Sequence, residues 1–510
     1  MKAFLMYKES DFDIHRQLPS NEEVLVQDLA LNTLFDAMAL GDPFLYDVAK
    51  SAILSGVSND LKTIAYRQNI LKDCLINPFV VRALYIIAVE AMKREKASHW
   101  GIFSDSPDAI LRRSVFVLQM FMTLLKELKR VADKQAERFK SEGFTAFFAM
   151  LKRELNDEYF ASVQEHIRVL KFRSGVLISA ELEKGNKGTN YVLRRSESAE
   201  QGWVNQIFAE KASVYSFHIH PRDQAGERAL SELKDRGLNL VANALAQSND
   251  HILSFFSMLR TELAFYIGCL KLHEQLAQKA KAISFPVPVT SSERKHSCRG
   301  LYDVCLTLRL GQGIVGNDMN ADSKDLVIIT GANQGGKSTF LRSIGVSQLM
   351  MQCGMFAPAE SFSSNICDGL FTHYKREEDA TLKSGKLDEE LSRMSDIVEN
   401  ITPHSMVLFN ESFAATNERE GSAIARQIIS ALVEKGIKVF FVTHLYEFAH
   451  VFCERKMENV LFLRAEREAD GRRTFILVEG EPLQTSFGED LYKRIFAVDA
   501  IAPASNPAVA

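Results

Sequence analysis

Nine consecutive residues combine glycines, one lysine and two hydroxyls: Gly331, Ala332, Asn333, Gln334, Gly335, Gly336, Lys337, Ser338 and Thr339. That combination suits a chain of phosphates. Glycines let backbone N–H groups turn inward toward an anion. A lysine adds a point charge, and a serine hydroxyl can ligate Mg²⁺. Such a loop needs a strand before it and a helix after it. Leu326–Thr330 is an apolar run that reads as a buried parallel strand, and the residues from Phe340 onward read as a helix start. The helix N-terminus then adds its dipole to the anion site. Strand, glycine-rich turn, Lys-Ser and helix together make the context of a P-loop. Residues 331–339 are therefore expected to hold the phosphates of ATP, with Ser338 in the shell of Mg²⁺.

Later motifs narrow the class. Ser405–Phe409 is a second apolar run, ending in Asn410 and Glu411. This is a Walker B pattern: position 410 is expected in the Mg²⁺ shell, and Glu411 is expected to orient or deprotonate an attacking water. Lys438–Thr443 is a third apolar run, ending in His444. Ligands of parallel α/β sheets sit at the carboxyl ends of the strands, so these polar termini should gather beside the phosphates. Between the first two motifs, Ser384 and Gly385 lie in a charged segment. P-loop, Ser-Gly, Walker B and strand-end histidine is an order that resembles ABC-type ATPases. There, the signature of one subunit faces the phosphates of another. In isolation each later piece has a plainer reading, as a solvated strand end or a turn. Their order and spacing favour the nucleotide site.

The residues also reach a particular family. Thr330 through Arg342 resembles the P-loop of the MutS family of DNA mismatch-repair ATPases. The similarity continues through Met351–Ala359, Phe371-Thr372, Asn410–Gly421, Thr443-His444 and Thr485–Tyr492. It is specific over about 300–495 and weaker before that. Three departures stand out. The family has Asp-Glu where this chain has Asn410-Glu411, which keeps an oxygen acceptor but removes a negative charge. The family's signature has Ser-Thr-Phe after its glycine. Here Gly385-Lys386 leads into Leu387-Asp388-Glu389-Glu390, so Ser384 and Gly385 are weak candidates for a contact in trans. The mismatch-reading domain with its Phe-x-Glu wedge is not recognised; Phe208-Ala209-Glu210 and Phe487-Gly488-Glu489 match those letters in the wrong regions.

Composition bounds the remainder. The chain has 510 residues, 46% of them hydrophobic and 25% charged, with a formal net charge of −4, which is that of a globular protein rather than a basic coat. Seven scattered cysteines without a Cys-x-x-Cys pair argue against a zinc site or a disulfide framework. The N-terminus does not read as a signal peptide, and no membrane span is expected, so a cytoplasmic location is the expectation. Residues 20 to about 170 show three-four apolar spacing, as in Val115, Leu118, Phe121, Leu124 and Leu125. Residues 175–180 and 190–193 flank Gly185–Gly188 and read as a hairpin, and 212–220 reads as a further strand. From about 226 to 280, apolar positions and the lack of proline predict one helix, and about fifty residues would span roughly 75 Å.

The fold class expected is α + α/β. A helical core, lever and clamp-like region with a small β insertion occupies 1–285, and an ABC-type P-loop ATPase domain occupies 286–510. Pro286, Pro288 and the polar residues 291–296 form the linker. The resemblance implies an ATP-gated clamp on DNA, in repair or recombination, working as a homodimer through the ATPase domain with no membrane partner. The basic clusters Lys93-Arg94-Lys96, Arg112-Arg113, Lys126-Lys129-Arg130, Arg168-Lys171-Arg173 and Arg194-Arg195 are candidate phosphate contacts that the sequence does not rank. An ATP-switched protein scaffold with little DNA affinity stays open as the alternative.

Overall fold

The computed structural model describes residues 1–98, 106–172, 175–185, 188–194, 215–279, 281–310, 314–376, 385–468 and 471–484. Ser384, Arg173, Arg195, both Phe-x-Glu matches and the 485–492 motif lie outside the described residues. The chain begins with α1 (Glu22–Asp28), α2 (Leu31–Ala39), α3 (Pro43–Leu54) and α4 (Leu61–Ile76). Then come α5 (Pro78–Ser98), α6 (Pro107–Gln135), α7 (Glu142–Glu154) and α8 (Asp157–Leu170), a hairpin of β1 (Leu177–Leu182) and β2 (Gly188–Arg194), and α9 (Gln224–Gln278). Helix starts follow local chemistry. Asp42 and Ser106 each accept a backbone N–H at an N-cap, with proline next in line, and Asn156 caps α8.

By contact, the described residues fall into two compact units. One comprises Met1–Leu5 and Asn77–Leu263; the other comprises Met6–Ile76 and Ala264–Ala510. A split at 285/286 follows the order of the chain, whereas contact assigns residues 6–76 to the unit that holds the glycine-rich loop.

In the first unit, the apolar stripe of α6 is buried as its spacing predicts, and Phe121 meets Phe256 of α9 at 5.8 Å. Asn249 donates to the Ser114 carbonyl at 2.9 Å. The hairpin forms where expected. Residues 215–220, expected as part of a strand, have no strand structure. Tyr215 and Phe217 are exposed, and β1 and β2 pair only with each other among the described residues. The alternating pattern of 215–220 pairs with no strand among the described residues. Several of the basic clusters are engaged with neighbouring carboxylates. Arg94 pairs with Glu90, Arg112 with Asp108, Lys129 with Asp133 and Arg168 with Glu165. The long helix runs 55 residues. One eighteen-residue window of it is apolar enough by composition to cross a membrane, and 72% of that window is buried within the protein, as in a core helix.

The second unit continues with β3 (Val287–Val289), β4 (His296–Leu301), α10 (Val304–Leu310), β5 (Asn317–Asn320), β6 (Leu326–Gly331) and α11 (Lys337–Gln352). It is completed by β7 (Ser361–Asn365), β8 (Leu370–Tyr374), α12 (Lys386–Asn400), β9 (Met406–Asn410), α13 (Glu418–Glu434), β10 (Lys438–Val442), α14 (Tyr446–Glu454), β11 (Val460–Arg467) and β12 (Arg473–Glu479). The main sheet has the order β12-β11-β6-β10-β9-β8, parallel except for β11 with β12. Its central strands are apolar and buried on both faces, as a parallel sheet requires. Phe409, Phe441 and Val439 pack under Ile429 of α13 and Phe448 of α14. A smaller sheet has the order β3-β7-β4-β5.

Helices α1–α4 are fastened to the C-terminal end of α11. Arg67 is fully buried; its Nε donates to the Met6 carbonyl at 2.8 Å and its Nη1 to the Cys353 carbonyl at 3.3 Å. Its guanidinium lies over the Tyr7 ring, 4.4 Å from the centroid. Asn59 donates to the Gln352 carbonyl, and Gln352 donates to that of Val57. Gly354 ends the helix at φ +86°, and a Cβ there would come within 2.4 Å of the Arg67 Cβ. Both the left-handed backbone and the close approach therefore require glycine. Gly354→Ala is expected to cost about 2 kcal/mol or more, read as a lower urea-unfolding midpoint; an unchanged midpoint would show that this junction does not carry stability.

Candidate functional site

Register places the polar strand ends side by side. Val442 of β10 pairs with Ile329 of β6 and with Asn410 of β9. β9 and β10 therefore finish level, β6 runs on two residues to Gly331, and Gly331, Glu411 and Thr443-His444 come together at the carboxyl end of the sheet. The glycine-rich turn leaves β6 with Gly331 at φ +104° and enters α11 from Gly336 at φ +90°, with Gln334 also left-handed at φ +58°. A Cβ on Gly331 would press on the Ala465 backbone at 2.8 Å, and one on Gly335 on the Ala332 carbonyl at 2.9 Å. These glycines serve backbone shape and close approach together.

The side chains converge. Ser338 Oγ donates to Asn410 Oδ1 at 2.8 Å, so two hard oxygen donors sit next to each other, as a divalent cation would need. The Lys337 ammonium donates to the Gly331 and Ala332 carbonyls at 3.0 and 2.9 Å. Its hydrogen-bond partners are carbonyl oxygens rather than a carboxylate. Burial pulls its pKa down to about 8, with Glu411 opposing and Arg473 adding to the shift. A buried cation with this environment fits a polyanion. His444 Nε2 lies 3.0 Å from Glu411 Oε1. That bond is the largest cause holding the Glu411 carboxyl below its ordinary range, ahead of the opposing effect of burial, so Glu411 stays ionised near neutrality. Glu411 and Phe413 are both left-handed, at φ 54° and 62°, an uncommon conformation for residues with side chains. The turn after β9 is thus a strained one, held by the Glu411 N–H bonded to the Val442 carbonyl at 2.8 Å.

A cavity of about 400 Å³ opens beside the loop. Residues 333–340 and Glu411 line its polar end, and Tyr302, Leu306, Leu310, Ile314, Val315 and Phe475 form an apolar wall. Sequence reasoning missed that wall and also Arg473, whose Nε donates to the Asn333 carbonyl at 3.1 Å. Phe475 and Arg473 come from β12 and Tyr302 from the segment after β4; neither spacing nor residue type marked them. Arg472-Arg473 sits in a run of mixed charges that includes Arg464, Glu466, Arg467, Glu468 and Asp470, so it gave no distinct signal. Gly385, expected to face phosphates in trans, caps α12 in extended backbone with open space around its α-carbon. Asp388 and Glu389 occupy the first turn of that helix.

Comparison with known proteins bears on the same residues. The family model described as the MutS2 N-terminal domain matches residues 59–279, and that described as MutS domain V matches residues 327–503. This chain belongs to the MutS family. DNA mismatch repair protein MutS of Clostridium kluyveri is 24% identical over 449 residues, covering 81% of this chain and 51% of that protein. The same-named protein of Lactobacillus acidophilus is 31% identical over 233 residues, covering 42% and 27%. That of Thermotoga maritima is 35% identical over 173 residues, covering 34% and 22%. The chain spans about half or less of the length of these curated relatives. Domain V includes the glycine-rich loop, Asn410, Glu411 and His444, so the gathered side chains lie in its matched region. The MutS2 match covers α9 whole, together with α5–α8.

The depressed Lys337 pKa has a signed consequence. The group is lowered in the folded state from its ordinary 10.5 to about 8, so folding disfavours its charged form. The destabilisation is full below about 8, fades as pH rises from 8 toward 10.5, and is absent above that. Wild type should therefore gain unfolding stability relative to Lys337→Met between pH 8 and pH 10. Parallel urea midpoints of the two proteins would refute the buried-ammonium assignment.

Proposed function

We propose that this MutS-family chain binds Mg-ATP and hydrolyses it slowly. The observation that carries the reading is the convergence of the glycine-rich loop, Lys337, Ser338, Asn410, Glu411 and His444 at the carboxyl ends of β6, β9 and β10. Inward backbone N–H groups of residues 331–339 and the N-terminus of α11 receive the phosphates, and Lys337 turns from the loop carbonyls to the β- and γ-oxygens. Ser338 and Asn410 are the residues that would hold Mg²⁺, which when bound would neutralise phosphate charge. Glu411, ionised and fixed by His444, orients the attacking water in line with the γ-phosphorus and accepts its proton. The apolar wall from Tyr302 to Phe475 receives the nucleobase. In this reading 286–510 is an ABC-type ATPase domain, and 1–285 is a helical core, lever and clamp-like region.

Lys337→Ala is expected to weaken ATP binding about tenfold or more by removing a phosphate charge. Glu411→Ala is expected to bind ATP as wild type and to hydrolyse it at least about a hundredfold more slowly. Asn410→Asp restores a carboxylate beside the cation, and the Mg²⁺ concentration for half-maximal turnover should fall. Radiolabelled ATP binding and phosphate release across a Mg²⁺ titration check all three. Wild-type turnover by Glu411→Ala would remove it as the base, and an unchanged Mg²⁺ requirement would take residue 410 out of the metal shell.

We further propose that the partner is DNA, held as by an ATP-gated clamp, with two copies meeting through their ATPase domains around Gly385. Family membership and the named relatives support this reading. The formal charge of −4 and the carboxylate partners of several basic clusters mean that phosphates must compete with existing ion pairs. Binding should therefore be weak and fall steeply with salt, with log K linear in log salt. A fluorescence-anisotropy titration of duplex and four-way-junction DNA at graded salt measures this. No binding at low salt would favour a protein scaffold instead.

A further inference from the structure

His373 lies on β8, one strand beyond β9, and is fully buried. None of the nucleotide chemistry above uses it. Its two ring nitrogens each meet a different element. Nε2 is 2.9 Å from the carbonyl oxygen of Glu390, in the second turn of α12. Nδ1 is 2.7 Å from Oγ of Ser412, the residue after Glu411. The ring stacks on Phe413 at 5.3 Å with an interplanar angle of 18°, and lies 5.7 Å from Phe409.

The bonding order follows from the partners. A carbonyl only accepts, so Nε2 carries a proton. Burial, the largest effect, pulls the ring's pKa down to about 4, so it is neutral near pH 7. Nδ1 is then an acceptor. The Ser412 hydroxyl has one proton and two acceptors within reach, Nδ1 and the His373 carbonyl at 2.5 Å. Glu390 approaches from the other side: burial raises its pKa, and the neighbouring Phe413 backbone N–H opposes that rise. The strained turn 411–413 and the second turn of α12 are thus joined through His373, with the Glu390 side chain beside Phe413. Two left-handed residues cannot move independently inside such a frame.

We propose that His373 is a positioning residue that couples α12 to the turn bearing Glu411, so that a change at the phosphate end of the site is passed to that helix. This inference rests on the nucleotide reading above. Rearrangement of Glu411 around a phosphate rotates Ser412 and Phe413, and the imidazole transmits the rotation to the Glu390 carbonyl. His373 touches no substrate; it acts through Ser412 and Glu390.

Hydrogen exchange of the full chain, with and without Mg-ATP, tests it. In wild type, peptides covering 331–339 and those covering 385–400 should both slow on adding nucleotide. In His373→Phe, which keeps the ring volume and loses both bonds, 331–339 should still slow and 385–400 should not. Turnover should fall about tenfold while ATP affinity stays within about twofold. His373→Gln, which keeps a donor toward Glu390, should recover part of both effects. Ser412→Ala removes only the hydroxyl, leaves the ring in place, and should uncouple the helix in the same direction, which secures the test if the phenylalanine variant does not fold. Slowing of 385–400 in wild type and in these variants alike overturns the proposal, as does slowing of 331–339 alone in wild type. An equal loss of affinity and turnover in the variants also overturns it, since that is the mark of a structural residue. No slowing of 331–339 in wild type overturns the nucleotide reading itself, and this inference with it.

Discussion

A row of phosphates carries more charge than a few side chains can match without a rigid cage, so the chain must meet it with backbone. In the proposed reading, that constraint governs the second unit. Backbone N–H groups are free to face an anion only in a turn that no strand or helix has already satisfied. Here the turn leaves β6 at Gly331 and enters α11 at Lys337. For other groups to join it, neighbouring strands must stop near the same height. The pairings of Val442 with Ile329 and with Asn410 set that height. A slip of one residue would turn Asn410 and Glu411 to opposite faces. The apolar packing under Phe409 and Phe441 therefore does chemical work at one remove, because it selects the register.

The helix that follows the loop must also be held still. In the proposed reading its N-terminus faces the phosphates, and its far end is where α1–α4 attach. Arg67 meets the Cys353 carbonyl, Asn59 the Gln352 carbonyl, and Gly345 lies where a Cβ would strike Leu29 and Leu408. The buried guanidinium finds two carbonyls and an aromatic face instead of a carboxylate, which satisfies much of its bonding within the fold. Residues far from the site in sequence thereby set the axis of the helix that begins at Lys337.

The legible part of this protein was the part where chemistry restricts residue type. Residues 331–339 were legible as a glycine-rich turn between a buried strand and a helix, which the fold bears out, and the parallel strands declared themselves by unbroken apolar runs. The 55-residue helix was readable because a three-four period without proline has few other outcomes. Arg473 and Phe475 were not readable, because a residue that reaches the site by strand pairing needs no local signature; β12 joins only through β11. The attachment of residues 6–76 was equally hidden, since buried polar contacts such as that of Arg67 depend on which carbonyls happen to be left open. At 215–220 a strand-like alternation misled, because a strand is a property of a pair and among the described residues this segment pairs with none.

Helix α12 brings these strands of argument together. A helix N-terminus facing a phosphate across a subunit boundary works through its bare dipole and open N–H groups. Here Asp388 and Glu389 already fill the first turn, complement that dipole, and repel an approaching anion. Gly385 offers space but no hydroxyl. The outer end of α12 is therefore poorly made for a direct phosphate contact, whereas its second turn is tied inward to the strained turn after Glu411 through His373 and Glu390. Information about the nucleotide is better suited to reach this helix from within its own subunit than from a neighbour. In that arrangement, the internal connection does not depend on an outside contact at Ser384 or Gly385.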